Sequence, residues 1–103
     1  MCGYLFYKDF HGQISDGKKK KLRHLSKALA HRGPDNHQEY SDNETFISFY
    51  RLSVIDPTDS ANQPLANSDS VMAFNGMIYN FKKLKKQYKL TNVDSSSDTK
   101  VLF

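Results

Sequence analysis

The chain has 103 residues, which bounds it at one domain. Its composition, 38% hydrophobic, 25% charged and 13% aromatic, is that of a folding chain and excludes disorder or a collagen-like repeat. The formal net charge is +4, no apolar run is long enough to span a bilayer, and a single cysteine excludes a disulfide framework and a cysteine zinc site.

The aromatic-rich run over residues 3–10 reads as a strand. Only Tyr4-Leu5-Phe6-Tyr7 precedes Lys8, too short for the apolar part of a signal peptide, so the chain reads as cytoplasmic. His11-Gly12 turns the backbone. Asp16 caps a helix beginning near Gly17, with Leu22, Leu25 and Leu29 on one face and lysines opposite. That helix ends at His31-Arg32-Gly33-Pro34, because Pro34 cannot continue it and Gly33 suits a C-terminal turn. A polar stretch over 35–44 follows. Residues 45–55 form the next strand or strand pair, broken by Asp56-Pro57.

A polar loop with Gln63-Pro64 leads to a short buried strand over 71–74. Asn75-Gly76 interrupts it. Asn80 then caps a lysine-rich helix through about Tyr88, with Phe81, Leu84 and Tyr88 on one face. Ser95-Ser96-Ser97-Asp98 reads as a further helix start, cut off in its first turn at Phe103. Strands and helices are mixed at short, antiparallel-style spacing, which predicts an α+β fold.

The positive charge gathers in Lys18-Lys19-Lys20-Lys21 and in Lys82, Lys83, Lys85 and Lys86. These runs read as solvated helix faces. A basic nucleic-acid-binding module is the weaker reading, because no stacking-aromatic signature or finger spacing accompanies them. Neither nucleic acid nor membrane is expected as a partner. His11, His24, His31 and His37 show no metal-ligand spacing, and no cofactor or metal is expected.

Four features carry possible chemistry. Cys2 follows the initiator methionine, so removing Met1 places a free α-amine beside a thiol. With a reference pKa of about 7.7–8.0, that amine suits a general base, and one residue supplies both nucleophile and base. Taken alone, Cys2 reads better as an ordinary small buried residue. Asn75 and Gly76 offer a side-chain amide and a backbone N–H to a developing oxyanion. Alone, Asn-Gly between apolar runs reads better as a hairpin turn. Arg51 is the one cation in an apolar strand, either a carboxylate clamp or an outward-facing edge residue. Asp98 either accepts an ammonium or simply favours a helix N-terminus.

The order of the segments matters more than any one of them. Met1-Cys2-Gly3, His31-Arg32-Gly33-Pro34-Asp35, Arg51-Leu52-Ser53-Val54-Ile55-Asp56, Gln63-Pro64, Asn75-Gly76-Met77-Ile78-Tyr79-Asn80 and Ser97-Asp98-Thr99 occur in turn. Together they resemble the glutaminase domain of class II glutamine amidotransferases, in the asparagine synthetase branch. The family motifs run MCGI, HRGPD, RLSIID, QP, NGEIYN and S-D-T/C-E. The resemblance covers essentially the whole chain and about the first half of the family's glutaminase domain. It covers none of the synthetase domain that follows.

The resemblance implies an N-terminal nucleophile hydrolase fold, a four-layer α-β-β-α sandwich of antiparallel sheets, here incomplete. It implies glutamine hydrolysis, with Cys2 as nucleophile once Met1 is gone and Asn75 and Gly76 as oxyanion hole. Arg51 then binds the glutamine α-carboxylate. Asp98 binds the α-ammonium, helped by backbone around Val54 and Ile55. The Arg32-Gly33-Pro34-Asp35 turn has a structural role. L-Glutamine is the implied small-molecule partner, with a synthetase subunit or self-association completing the sheet.

Two departures from the family matter: Met77 stands where it has glutamate, and Phe49-Tyr50 stand where it has histidine or glycine shortly before the arginine. Losing the glutamate's charge-assisted hydrogen bond costs on the order of 1.5–3 kcal/mol of binding. The alternative reading is an inactive fragment serving as a structural or interaction module.

Overall fold

The computed structural model describes residues 1–93 and 97–103. Its central element is β3 (Thr45–Arg51), buried at every position. Threonine, isoleucine and aromatic side chains suit a strand covered on both faces. On one side it pairs antiparallel with β1 (Gly3–Lys8), on the other with β2 (Asn36–Ser41), giving the order β1-β3-β2. Tyr4 lies opposite Phe49, and their rings stack at 6.0 Å. Gly3 lies opposite Tyr50, so Cys2 arrives beside the end of β3.

Alternation divides the sheet into two faces. Leu5, Tyr7 and Phe46 meet Ile14 and Leu22 under α1 (Asp16–Ser26). The helix start falls one residue earlier than the sequence suggests, because the capping oxygen belongs to Ser15, which accepts from the Lys18 N–H at 3.1 Å. The leucine stripe does not hold. Leu25 is 61% exposed, because Ser26 takes the buried place. Its hydroxyl donates to the Arg23 carbonyl at 2.8 Å and accepts from Ser48 at 3.0 Å. Ser48 also meets His37 Nε2 at 2.8 Å. Beyond Ser26 the chain tightens into a 3-10 segment, Lys27–Arg32, which rotates Leu29 off a 3.6-residue repeat.

The polar stretch over 35–44, given no element from the sequence, holds β2. Its side chains find individual partners rather than an apolar face, so no alternating pattern marks it. Glu39 pairs with Arg23 at 2.7 Å, and His37 stacks on Tyr50 at 4.2 Å. Asp42 closes the β2–β3 turn by accepting from the Glu44 and Thr45 N–H groups at 2.8 and 2.7 Å. These bonds, led by that from Glu44, hold its carboxyl below the ordinary value of 3.8.

A second sheet joins β4 (Leu65–Ala66) to β5 (Val71–Met72), antiparallel. Asn67 Oδ1 shapes the turn by accepting from the Asp69 and Ser70 N–H groups. A groove of about 400 Å³ runs between Tyr4, Phe6 and Ile47 of the first sheet and Val71, Met72 and Ala73. Helix α2 (Phe81–Gln87) packs on α3 (Asp98–Leu102). Asn80 occupies the cap position of α2 without a side-chain hydrogen bond, and Tyr88 is exposed. Of the serine run expected to open the last helix, Ser95 and Ser96 lie outside the described residues. Ser97 and Asp98 do open α3. The fold is α+β with antiparallel strands, and both sheets are small and open, in keeping with an incomplete sandwich. Among the described residues no helix is long and apolar enough to cross a membrane.

Candidate active site

Strand β3 stops at Arg51, four residues short of the run expected from the sequence. The reason lies in where the next backbone donors go. The Leu52 N–H donates to Cys2 Sγ at 3.3 Å, and the Ser53 N–H donates to Asp35 Oδ2 at 2.7 Å. The thiol in turn points to the Leu52 carbonyl at 3.7 Å. Side chains from two distant segments thus replace a strand partner and anchor Cys2 at the sheet end.

The turn before β2 completes this anchor. Gly33 sits against the backbone of β3, and a Cβ there would overlap the Tyr50 carbonyl. Its need is close approach rather than a left-handed conformation, since no glycine has positive φ. Arg32 Nε donates to the Cys2 carbonyl at 3.2 Å, and Asn75 Nδ2 donates to the same oxygen at 3.0 Å.

Asn75-Gly76 is not a hairpin turn. β5 ends at Met72, and residues 73–78 run without a strand partner. Both ends of this segment are tied to side chains instead: the Phe74 N–H to Gln63 Oε1 at 2.6 Å and the Ile78 N–H to Asp98 Oδ2 at 2.9 Å. The Phe74 ring covers Gly76, where a Cβ would stand 2.7 Å from it.

Arg51 is 6% exposed and turns inward, not out from an edge. Nη1 donates to the Thr58 carbonyl at 2.7 Å and to Asn62 Oδ1 at 2.8 Å, and Nη2 donates to the Asp56 carbonyl. These acceptors fix a buried guanidinium in direction. Asp56 shapes the loop that supplies them. Its carboxylate accepts from the Thr58 hydroxyl at 2.6 Å and the Thr58 N–H at 2.9 Å. The Thr58 hydroxyl bond is the main cause that holds its carboxyl below 3.8, against the opposing pull of burial. Asp98 is also buried. Besides Ile78, it accepts from the Thr99 N–H at 2.9 Å, so it both opens α3 and faces the cavity.

These groups meet. Cys2, Arg51, Asn75, Gly76 and Asp98 line one cavity of about 80 Å³. Val54 and Ile55 line its wall, so every candidate residue from the sequence falls in one place. Met77 lines it too, 40% exposed. Sequence reasoning missed Gln63 and Thr99, which also face the cavity, and the bond from Arg32 to Cys2. Their only signal was membership of the ordered motifs. The arrangement gathers a thiol, the Asn75 amide, a fixed cation and a fixed carboxylate on one cavity. Such a site is complementary to a zwitterion that carries a reactive carbonyl.

An α+β domain with a cysteine at its second position, opening on a cavity with paired ionic groups, defines a narrow class. The chain matches the model of the glutamine amidotransferase domain over residues 1–103. It is 39% identical to asparagine synthetase [glutamine-hydrolyzing] 1 of Arabidopsis thaliana, over 99% of this chain and 18% of that protein. It is 36% identical to asparagine synthetase [glutamine-hydrolyzing] of Zea mays, over 99% of this chain and 17% of that protein. The chain belongs to the glutamine amidotransferase domain family. It spans less than a fifth of the length of these relatives.

Proposed function

We propose that this domain hydrolyses the side-chain amide of L-glutamine, with Cys2 as nucleophile. The reading is supported above all by the convergence of Cys2, Arg51, Asn75 and Asp98 on one cavity. Arg51 takes the α-carboxylate through N–H groups not committed to Thr58, Asn62 and Asp56. Asp98 takes the α-ammonium, with backbone near Val54 and Ile55 completing the binding wall. The Cys2 thiol gives its proton to its own α-amine and adds to the amide carbon. Asn75 Nδ2 and the Gly76 N–H receive the oxyanion. The α-amine passes the proton to the leaving nitrogen, ammonia departs, and a thioester remains. Water then adds, the thioester breaks, and glutamate leaves with the thiol restored.

The amine is free only after Met1 is removed, so activity depends on that cleavage. The domain corresponds to the N-terminal part of a glutaminase domain. Its ammonia serves an amide-forming synthetase reaction, as the name asparagine synthetase [glutamine-hydrolyzing] of the relatives suggests. Protein lacking Met1 is expected to release glutamate and ammonia from glutamine, and Cys2→Ala to release neither. No turnover in a folded, Met1-free sample overturns the reading. Met77 in the cavity wall, which offers a substrate ammonium no charge-assisted bond, favours a second reading, an inactive fragment serving as a structural or interaction module. A folded, Met1-free sample that neither binds glutamine by calorimetry nor releases ammonia supports that one.

A further inference from the structure

We propose that Gln63, acting with Thr99, is a positioning residue that aligns the Asn75–Gly76 segment and couples it to Asp98; this rests on the glutaminase reading above. Gln63 is 4% exposed. A buried side-chain amide is costly unless its hydrogen bonds are met. Here they are met by the site itself. Oε1 accepts from the Phe74 N–H at 2.6 Å, one residue before Asn75. Nε2 donates to Thr99 Oγ1 at 3.5 Å. Thr99 Oγ1 lies 3.4 Å from Asp98 Oδ1, and the Thr99 N–H donates to the same oxygen at 2.9 Å. Asp98 Oδ2 accepts from the Ile78 N–H at 2.9 Å.

The result is one chain of contacts: Phe74, Gln63, Thr99, Asp98, Ile78. Its two ends bracket Asn75, Gly76 and Met77, a segment without a strand partner. An oxyanion donor works only when held within hydrogen-bond range of the developing charge. The hydrogen bonds of Gln63 and Thr99 go to the Phe74 backbone, to each other and to Asp98. They set the donors in place and tie them to the carboxylate that receives the substrate ammonium. An apolar residue of similar size at position 63 fills the volume but drops the Phe74 bond.

Gln63→Leu is therefore expected to lower kcat for glutamine about 10- to 100-fold. KM rises by less than kcat falls, since Arg51 stays in place while Asp98 is loosened. Thr99→Val lowers kcat in the same direction, and Thr99→Ser, which keeps the hydroxyl, restores it. Amide hydrogen exchange provides a readout independent of turnover: Gln63→Leu speeds exchange at both Phe74 and Ile78. If Gln63→Leu does not fold, Thr99→Val against Thr99→Ser carries the test. Unchanged exchange at Phe74, or kcat unchanged in the folded variants, overturns the proposal. If wild-type protein turns over no glutamine, the glutaminase reading fails, while exchange at Phe74 and Ile78 still decides whether the strut exists.

Discussion

The thiol of Cys2 accepts a hydrogen bond from the backbone N–H of Leu52 at 3.3 Å, across 50 residues of sequence. That bond explains two things at once. It ends β3 at Arg51, and it sets the thiol on the cavity that Arg51 also lines. The same event that terminates a strand therefore builds the reactive end of the cavity.

Arg51 is the first place to test this. Its fork spans three acceptors, which a lysine ammonium cannot match in direction. Arg51→Lys is expected to cost about 2 kcal/mol of stability in urea unfolding. It should also raise KM for glutamine about tenfold or more, the equivalent of one lost charge-assisted bond. Native stability and native KM in this variant contradict the inward role of Arg51.

Gly33 makes a second, purely steric prediction. A methyl group at this position overlaps the Tyr50 carbonyl. The turn must move away from β3, carrying Arg32 off the Cys2 carbonyl and Asp35 off the Ser53 N–H. Gly33→Ala is expected to destabilise by about 1–3 kcal/mol in denaturant and to slow turnover. A substitution within about 0.5 kcal/mol of wild type contradicts the close approach.

The order of the motifs made Cys2, Arg51, Val54, Ile55, Asn75, Gly76 and Asp98 legible as one site, and the structure brings them to one cavity. The α+β class was legible from apolar spacing. What stayed hidden depends on partners far along the chain. β2 is polar because its side chains meet Arg23 and Tyr50 one by one. Leu25 is exposed because the buried Ser26–Ser48 hydroxyl pair takes its place. No local pattern in the sequence encodes either pairing. Likewise, Gln63 and Thr99 meet across 36 positions, beyond the reach of periodicity.

Asp56 predicts a pH dependence. The Thr58 hydroxyl bond is the largest cause that lowers its carboxyl below 3.8, and the Arg51 and Lys100 charges act in the same direction. The folded state thus prefers the ionised form, and the unfolded state binds the proton more readily. The stabilisation is fully present above about 3.8 and is lost as pH falls through the lower folded value. Asp56→Asn should be less stable near neutrality by about 1 kcal/mol. It should also lose less stability than wild type on acidification below pH 3.8. Parallel acid-unfolding curves contradict this account.

The central claim is that Cys2, freed of Met1, attacks the amide carbon. Intact and peptide mass spectrometry of an acid-quenched reaction with glutamine reads this directly. The expected species is a γ-glutamyl thioester on an N-terminal peptide that begins at Cys2. Turnover by protein that retains Met1, or turnover with no adduct on Cys2 at any quench time, contradicts it.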